Sequence, residues 1–305
     1  MTGLGLGALG FLLQKINIHL FWETLKHGAT YFPFILLLEI SILACTMAAL
    51  RALYGPDQRN IPAKALVQAG LTSYAIMGIV PAGRAFAEAT RATLLTRYSN
   101  SARAAAAATQ LQAVSLLANA TISVPAALAM HFKPGNTINT SLIFSNGLLT
   151  LFLGSMILLA AQFAKVGKNL GRFFPKLTDF AQRFDTHLLL SRQTFYAYLW
   201  ELLGRGIQVL QNSILVLAVG GTFGLGYALR SEALHLIGVA GGEMIPAQLG
   251  ATELTFKLSA SALDMFPETA ISIAILAHLA QFFWVSIGAL MPIIFQKNGP
   301  ASIEQ

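Results

Sequence analysis

Apolar residues run along this chain in blocks of bilayer-spanning length, with most charged positions gathered between the blocks or at helix-like spacing inside them. Stretches such as YFPFILLLEISILACTMAAL (31–50), SLIFSNGLLTLFLGSMILLAAQFA (141–164) and ISIAILAHLAQFFWVSIGALMPIIF (271–295) each reach the length of a membrane span, about 20 residues at about 1.5 Å each. The pattern predicts spans over 3–21, 30–53, 103–130, 139–164, 194–220 and 269–295, with INIHLFWETLKHGA (16–29) as an amphipathic connector. The expected fold is all-α: a polytopic integral membrane protein with about six full spans, forming a single transmembrane domain over 1–305.

Two regions, 64–99 and 222–263, break the pattern. Each holds two short apolar arms divided by a proline, in GIVPAGRAFAEATRATLL (78–95) and MIPAQLGATELTFKL (244–258). In each, a glutamate follows seven positions later, Glu88 after Pro81 and Glu253 after Pro246. Arms this short span poorly and carry charges that lipid-facing helices avoid. Loop 51–64 carries Arg51, Arg59 and Lys64 against Asp57, and loop 165–193 carries Lys165, Lys168, Arg172, Lys176, Arg183 and Arg192 against Asp179 and Asp185. Basic loops lie in the cytoplasm, so an even number of crossings separates the two. The first broken region then enters from the cytoplasm as a re-entrant hairpin or a pair of short spans, and the second approaches from the opposite face. Halves 64–130 and 231–295 read as an inverted repeat of proline-broken hairpins, the layout in which transporters build midplane sites.

Composition sharpens this picture. The chain is 55% hydrophobic and 11% charged, against about 25% charged in soluble domains, and its mean hydropathy is +0.63. A water-soluble globule is excluded. The net charge of +7 does not indicate nucleic acid, because loop 165–193, with six cations against two aspartates, supplies +4 of it. Phe173, Leu177, Phe180, Phe184 and Leu188 recur there at helical spacing, which predicts a cytoplasmic amphipathic helix lying on anionic lipid. Cys45, the single cysteine, reads as a packing residue. MTGLGLGALGFLLQ lacks a basic start and a cleavage site, so it reads as a retained helix.

The prolines predict helix starts aimed into the protein interior, where free N–H groups and the helix dipole attract anions. Irregular backbone at membrane depth must face protein or a wet cavity, which predicts a polar pocket between the hairpins. Arg84, Glu88 and Arg91 stand at i, i+4 and i+7 on one helical face, which sets a cation on each side of Glu88. Glu253 with Lys257, and Glu201 with Arg205, form i, i+4 pairs, while Glu39 needs a partner or a proton. The competing reading of each pair is a neutralised contact that packs helices. Glu243, Gln248, Gly250, His278 and Gln281 are further cavity candidates. No histidine and carboxylate spacing suits a metal, no Ser/His/Asp order stands out, and no cofactor is implied.

At these two stretches the chain resembles the flippase-like transmembrane domain of the lysylphosphatidylglycerol synthases and its stand-alone relatives. VPAGRAFAEATRATLL carries the first motif through Pro81, Arg84, Glu88 and Arg91, and IPAQLGATELT the second through Pro246, Leu249, Gly250 and Glu253. It departs from the family pattern at Ala87, at Ala247 and Gln248 where a double glycine is usual, and at Thr252 in place of an arginine. The resemblance implies lipid translocation or binding, and no aminoacylation, since little chain follows residue 295.

The expectation is therefore a lipid flippase or transporter of the bacterial inner membrane with both termini cytoplasmic. Its partners would be lipids with anionic headgroups, and a homo-oligomer is compatible with this. Substrate-binding residues would be Arg84, Glu88, Arg91, Gly250, Glu253 and Lys257, with Glu201, Arg205, Glu243, Gln248 and His278 as additional cavity residues. The rivals are a membrane-embedded enzyme acting on a lipid phosphate, with Glu88 or His278 as acid or base, and an ion-coupled small-solute transporter using Glu39 and Glu201.

Overall fold

The computed structural model describes residues 18–133, 140–163, 178–188 and 190–296, and every regular element within them is helical. The α-helices are α1 (Ile18–Gly28), α2 (Phe32–Leu53), α3 (Ala63–Ile79), α4 (Gly83–Leu95), α5 (Ser101–His131) and α6 (Thr140–Phe163). They continue with α7 (Thr178–His187), α8 (Arg192–Ala218), α9 (Leu225–Gly242), α10 (Ala251–Leu258) and α11 (Pro267–Gln296).

Among the described residues, four helical stretches are long and apolar enough to cross a membrane: Trp22–Leu53, Ser101–His131, Thr140–Ala160 and Pro267–Ile294. This is a membrane protein. The first stretch differs from the sequence reading, because a single turn at Ala29–Tyr31 carries α1 straight into α2. The expected span 3–21 lies almost wholly outside the described residues. The span expected over 194–220 forms α8, 27 residues long, but Glu201, Arg205, Gln208, Gln211 and Asn212 make it too polar to count with the other four. The described residues thus offer four apolar spans, and the expected count of about six is not confirmed.

Both proline breaks form, and for the same reason. A residue before proline is pushed out of the α region by the ring, and Val80 and Ile245 are both extended, with ψ of 136° and 130°. The residue after each proline, Ala82 and Ala247, then turns left-handed at φ 51°. Neither proline opens an α-helix, contrary to expectation. Pro81 lies two residues before α4, while Pro246 starts a short 3-10 turn and α10 begins only at Ala251. Gly83 opens α4 where no side chain fits, since a Cβ there would lie 2.4 Å from the Met77 carbonyl oxygen.

Small residues let the helices approach closely. The most extensive packing joins α5 to α6, α8 to α2 and α11 to α3. The alanines at 104–108 in α5 are largely buried, as the run AAAAAT suggests. At Gly288 of α11, a Cβ would come 2.1 Å from the Leu71 carbonyl oxygen of α3. Part of the basic loop, 164–177, lies outside the described residues, so Phe173 and Leu177 are not placed. Its remainder, α7, docks on protein: Leu188 is buried against Ala106 of α5, with Phe184 packed beside them. Arg103 secures the contact, with Nη1 3.3 Å from His187 Nδ1 and Nη2 donating to the Leu53 carbonyl at 2.8 Å.

Candidate functional site

The two breaks come together. Helix α3 packs on the turn at Pro246–Gln248, and Arg84 Nε at the start of α4 stands 3.7 Å from Glu243 Oε1 at the end of α9. Around this contact lies a cavity of about 230 Å³, room for a phosphate-sized group with a few waters at about 30 Å³ each. Its wall carries three guanidiniums (Arg84, Arg91, Arg205), four carboxylates (Glu39, Glu88, Glu201, Glu243) and two imidazoles (His235, His278). Two of the guanidiniums, Arg84 and Arg91, stand against carboxylates, so an anion taking either must displace Glu243 or Glu88.

The pairings differ from those that spacing predicts. Glu88 takes only Arg91, at 2.5 Å, because Arg84 turns to Glu243 in the other break. Glu201 and Arg205 make no ion pair. Arg205 Nη1 donates to Gln208 Oε1 at 2.6 Å, and Glu201, buried beside the Thr46 and Ser115 hydroxyls, keeps Oε1 without a hydrogen bond among the described residues. Glu39 has the partners it needs: Tyr74 Oη donates to Oε1, and Gln211 Nε2 donates to Oε2 at 2.7 Å.

The glutamate of the second motif sits one layer back. Glu253 is 1% exposed and does not line the cavity. Its Oε2 accepts from the Gly250 amide at 2.8 Å and its Oε1 lies 2.9 Å from His278 Nδ1. It therefore holds His278, which does reach the cavity, and closes the start of α10. The expected Glu253–Lys257 pair does not form, and neither Gly250 nor Lys257 reaches the cavity wall. Gly250 serves through backbone geometry, at φ 85°. Both helix starts reach the cavity wall, α4 through Gly83 and Arg84 and α10 through Thr252. Gln248 also lines the wall.

Uncharged polar residues complete the wall, and the sequence reading passed over most of them. Gln112, Ser115 and Asn119 stand at i, i+3 and i+7 on α5, and Glu201, Arg205, Gln208 and Asn212 at i, i+4, i+7 and i+11 on α8. These stripes are visible in the sequence as helical periodicity in polarity. Asn212 also ties α8 to α9: Nδ2 donates to Glu232 Oε2 at 2.7 Å and Oδ1 accepts from Ser231 Oγ at 2.9 Å. Glu232 itself is fully buried. Among the described residues no cluster of histidine, cysteine and carboxylate could hold a metal ion.

No curated protein and no solved structure matches the chain significantly. A family model, that of the lysylphosphatidylglycerol synthase TM region, matches residues 2–289. With its two proline breaks, its charged first motif and a match across nearly its whole length, the chain belongs to the lysylphosphatidylglycerol synthase transmembrane-region family.

Proposed function

We propose that the protein binds the headgroup of an anionic phospholipid in this cavity and moves the lipid between leaflets. The observation that carries the reading is the Arg84–Glu243 contact, which places a guanidinium from one helix break against a carboxylate from the other on the wall of a polar cavity. Arg84 and Arg91 would take the phosphate in charge-assisted hydrogen bonds, with the first amides of α4 beside it. Glu88 and Glu243 would reclaim the two guanidiniums once the headgroup leaves. The matched Val-Pro-Ala and Ile-Pro-Ala breaks support an inverted repeat of re-entrant hairpins, rocking against each other to expose the cavity to either side. The basic loops support a cytoplasmic-membrane protein with both termini on the cytoplasmic side.

Leaflet exchange of fluorescent phospholipids in reconstituted vesicles tests this. Exchange should exceed that of protein-free vesicles and fall at least about tenfold in Arg84→Ala, equivalent to about 1.4 kcal/mol of lost interaction. Exchange no faster than in protein-free vesicles, across several lipid classes, overturns the proposal. A second reading has one observation in its favour. His278, held by buried Glu253 and facing the cavity, has the arrangement of an oriented general base, which suits an enzyme acting on a lipid phosphate. A new product in a mass spectrum after incubation with lipid, lost in His278→Ala, would select that reading instead.

A further inference from the structure

A second hollow, of about 520 Å³, opens beside the polar cavity and has a different character. Ala85, Ala89 and Ala92 line one side from α4, Ala105 and Ala108 line the other from α5, and Ile157 of α6 stands at its edge. The alanines of α4 recur at i, i+4 and i+7, a stripe of methyl groups along the slot, with Arg84 and Glu88 of the same helix also on its lining. Ala85 and Ala89 are exposed, so α5 and α6 do not cover them. A methyl-lined slot in a membrane protein suits hydrocarbon.

The slot does not end blindly. Arg84, Glu88, Gln112 and Glu243 line both hollows, so the apolar slot runs into the polar cavity across the Arg84–Glu243 contact. That contact is long, at 3.7 Å, and its two side chains are 28% and 40% exposed, features of an ion pair that yields easily. Just inside, Arg91 is 6% exposed, and its Nε makes no hydrogen bond among the described residues. Glu88 Oε2 is likewise buried and unpartnered. Polar atoms without partners thus wait at the inner end of an apolar slot.

We propose that this slot takes a hydrocarbon chain of the lipid whose headgroup occupies the cavity, and that the Arg84–Glu243 pair is the threshold the headgroup crosses. This rests on the lipid-binding reading above. The headgroup enters sideways between α4 and α5, its phosphate replaces Glu243 on Arg84, and the chain stays among the alanines. No part of the acyl chain has to enter the polar cavity, which is too small for a two-chain lipid.

Photolabelling tests the slot without relying on transport. The probe is a phosphatidic acid carrying a diazirine midway along one acyl chain, in phosphatidylcholine vesicles containing the purified protein. Label should concentrate in peptides covering 82–92 and 105–112. Ala89→Trp and Ala108→Trp fill the slot and should lower that labelling at least tenfold, and Ala89→Leu should lower it partway if the Trp variants do not accumulate. Phe86→Trp, on the same helix but outside the slot, should leave it unchanged. Binding of glycerol 3-phosphate, which needs only the cavity, should survive in the slot-filling variants. Label spread evenly over exposed apolar residues such as Leu148 and Phe152 of α6, or equal label in wild type and Ala89→Leu, overturns the proposal. Concentrated label without leaflet exchange would leave the slot standing and overturn the transport reading alone.

Discussion

Arg84 belongs to the first motif and Glu253 to the second, and their surroundings assign these two charged residues opposite work. Arg84 is partly exposed, on a long contact to Glu243, so Arg84→Ala should cost less than about 1 kcal/mol of stability while impairing headgroup binding. Glu253 is buried, with a backbone amide and an imidazole depending on it. Glu253→Ala leaves both unsatisfied and should cost about 3 kcal/mol, seen as a clear drop in the thermal midpoint in detergent. A drop of similar size in both variants would contradict this division. Ala82 and Ala247 carry a different load, since a left-handed alanine pays a steric penalty that glycine avoids. Ala82→Gly and Ala247→Gly should each raise stability by up to about 1 kcal/mol, measured by the same melting experiment. An altered exchange rate in those variants would show that the strained turn serves function.

Among the elements, α7 is the one whose docking should respond to pH. Burial first, and then the Arg103 guanidinium, hold the His187 imidazole below its usual range, with Arg183 adding to the effect and Asp57 opposing it. A folded-state value that is depressed means the docked form favours neutral His187. Docking should therefore be complete above about pH 6.5 and weaken as the pH falls from there towards the lower folded-state value. A nitroxide at Thr186, an exposed position, should gain mobility between pH 7.5 and 5.5. His187→Gln, which cannot take up a proton, should flatten that response, and mobility independent of pH in the unmutated protein would refute it. Helices α4 and α10 teach a related lesson about local rules. The proline rule correctly locates both breaks, because the ring acts on its immediate neighbour. It misplaces the helix starts, because the left-handed alanines and the extra turn before Ala251 depend on what each arm packs against.

For the molecule as a whole, the side of the membrane on which each loop lies can be checked directly. In a Cys45→Ala background, cysteines at Gln58 and Thr186 should react with an impermeant maleimide from the same face. Reaction from opposite faces would break the even crossing count and the inverted arrangement with it. Membrane residence, helical class and the sites of the breaks were readable from one dimension, because hydrophobic length and the steric reach of proline act over a few residues. The allocation of charges was not. Spacing at i, i+4 made Glu201–Arg205 and Glu253–Lys257 available, but α2, α5 and α11 brought Thr46, Ser115 and His278 alongside, and burial favoured those contacts over the predicted pairs. Glu39 met Tyr74 and Gln211 only because α2 packs beside α3 and α8. The cavity is likewise a product of packing: its wall draws on helices far apart in the chain, and no local pattern states which polar stripes will face one another.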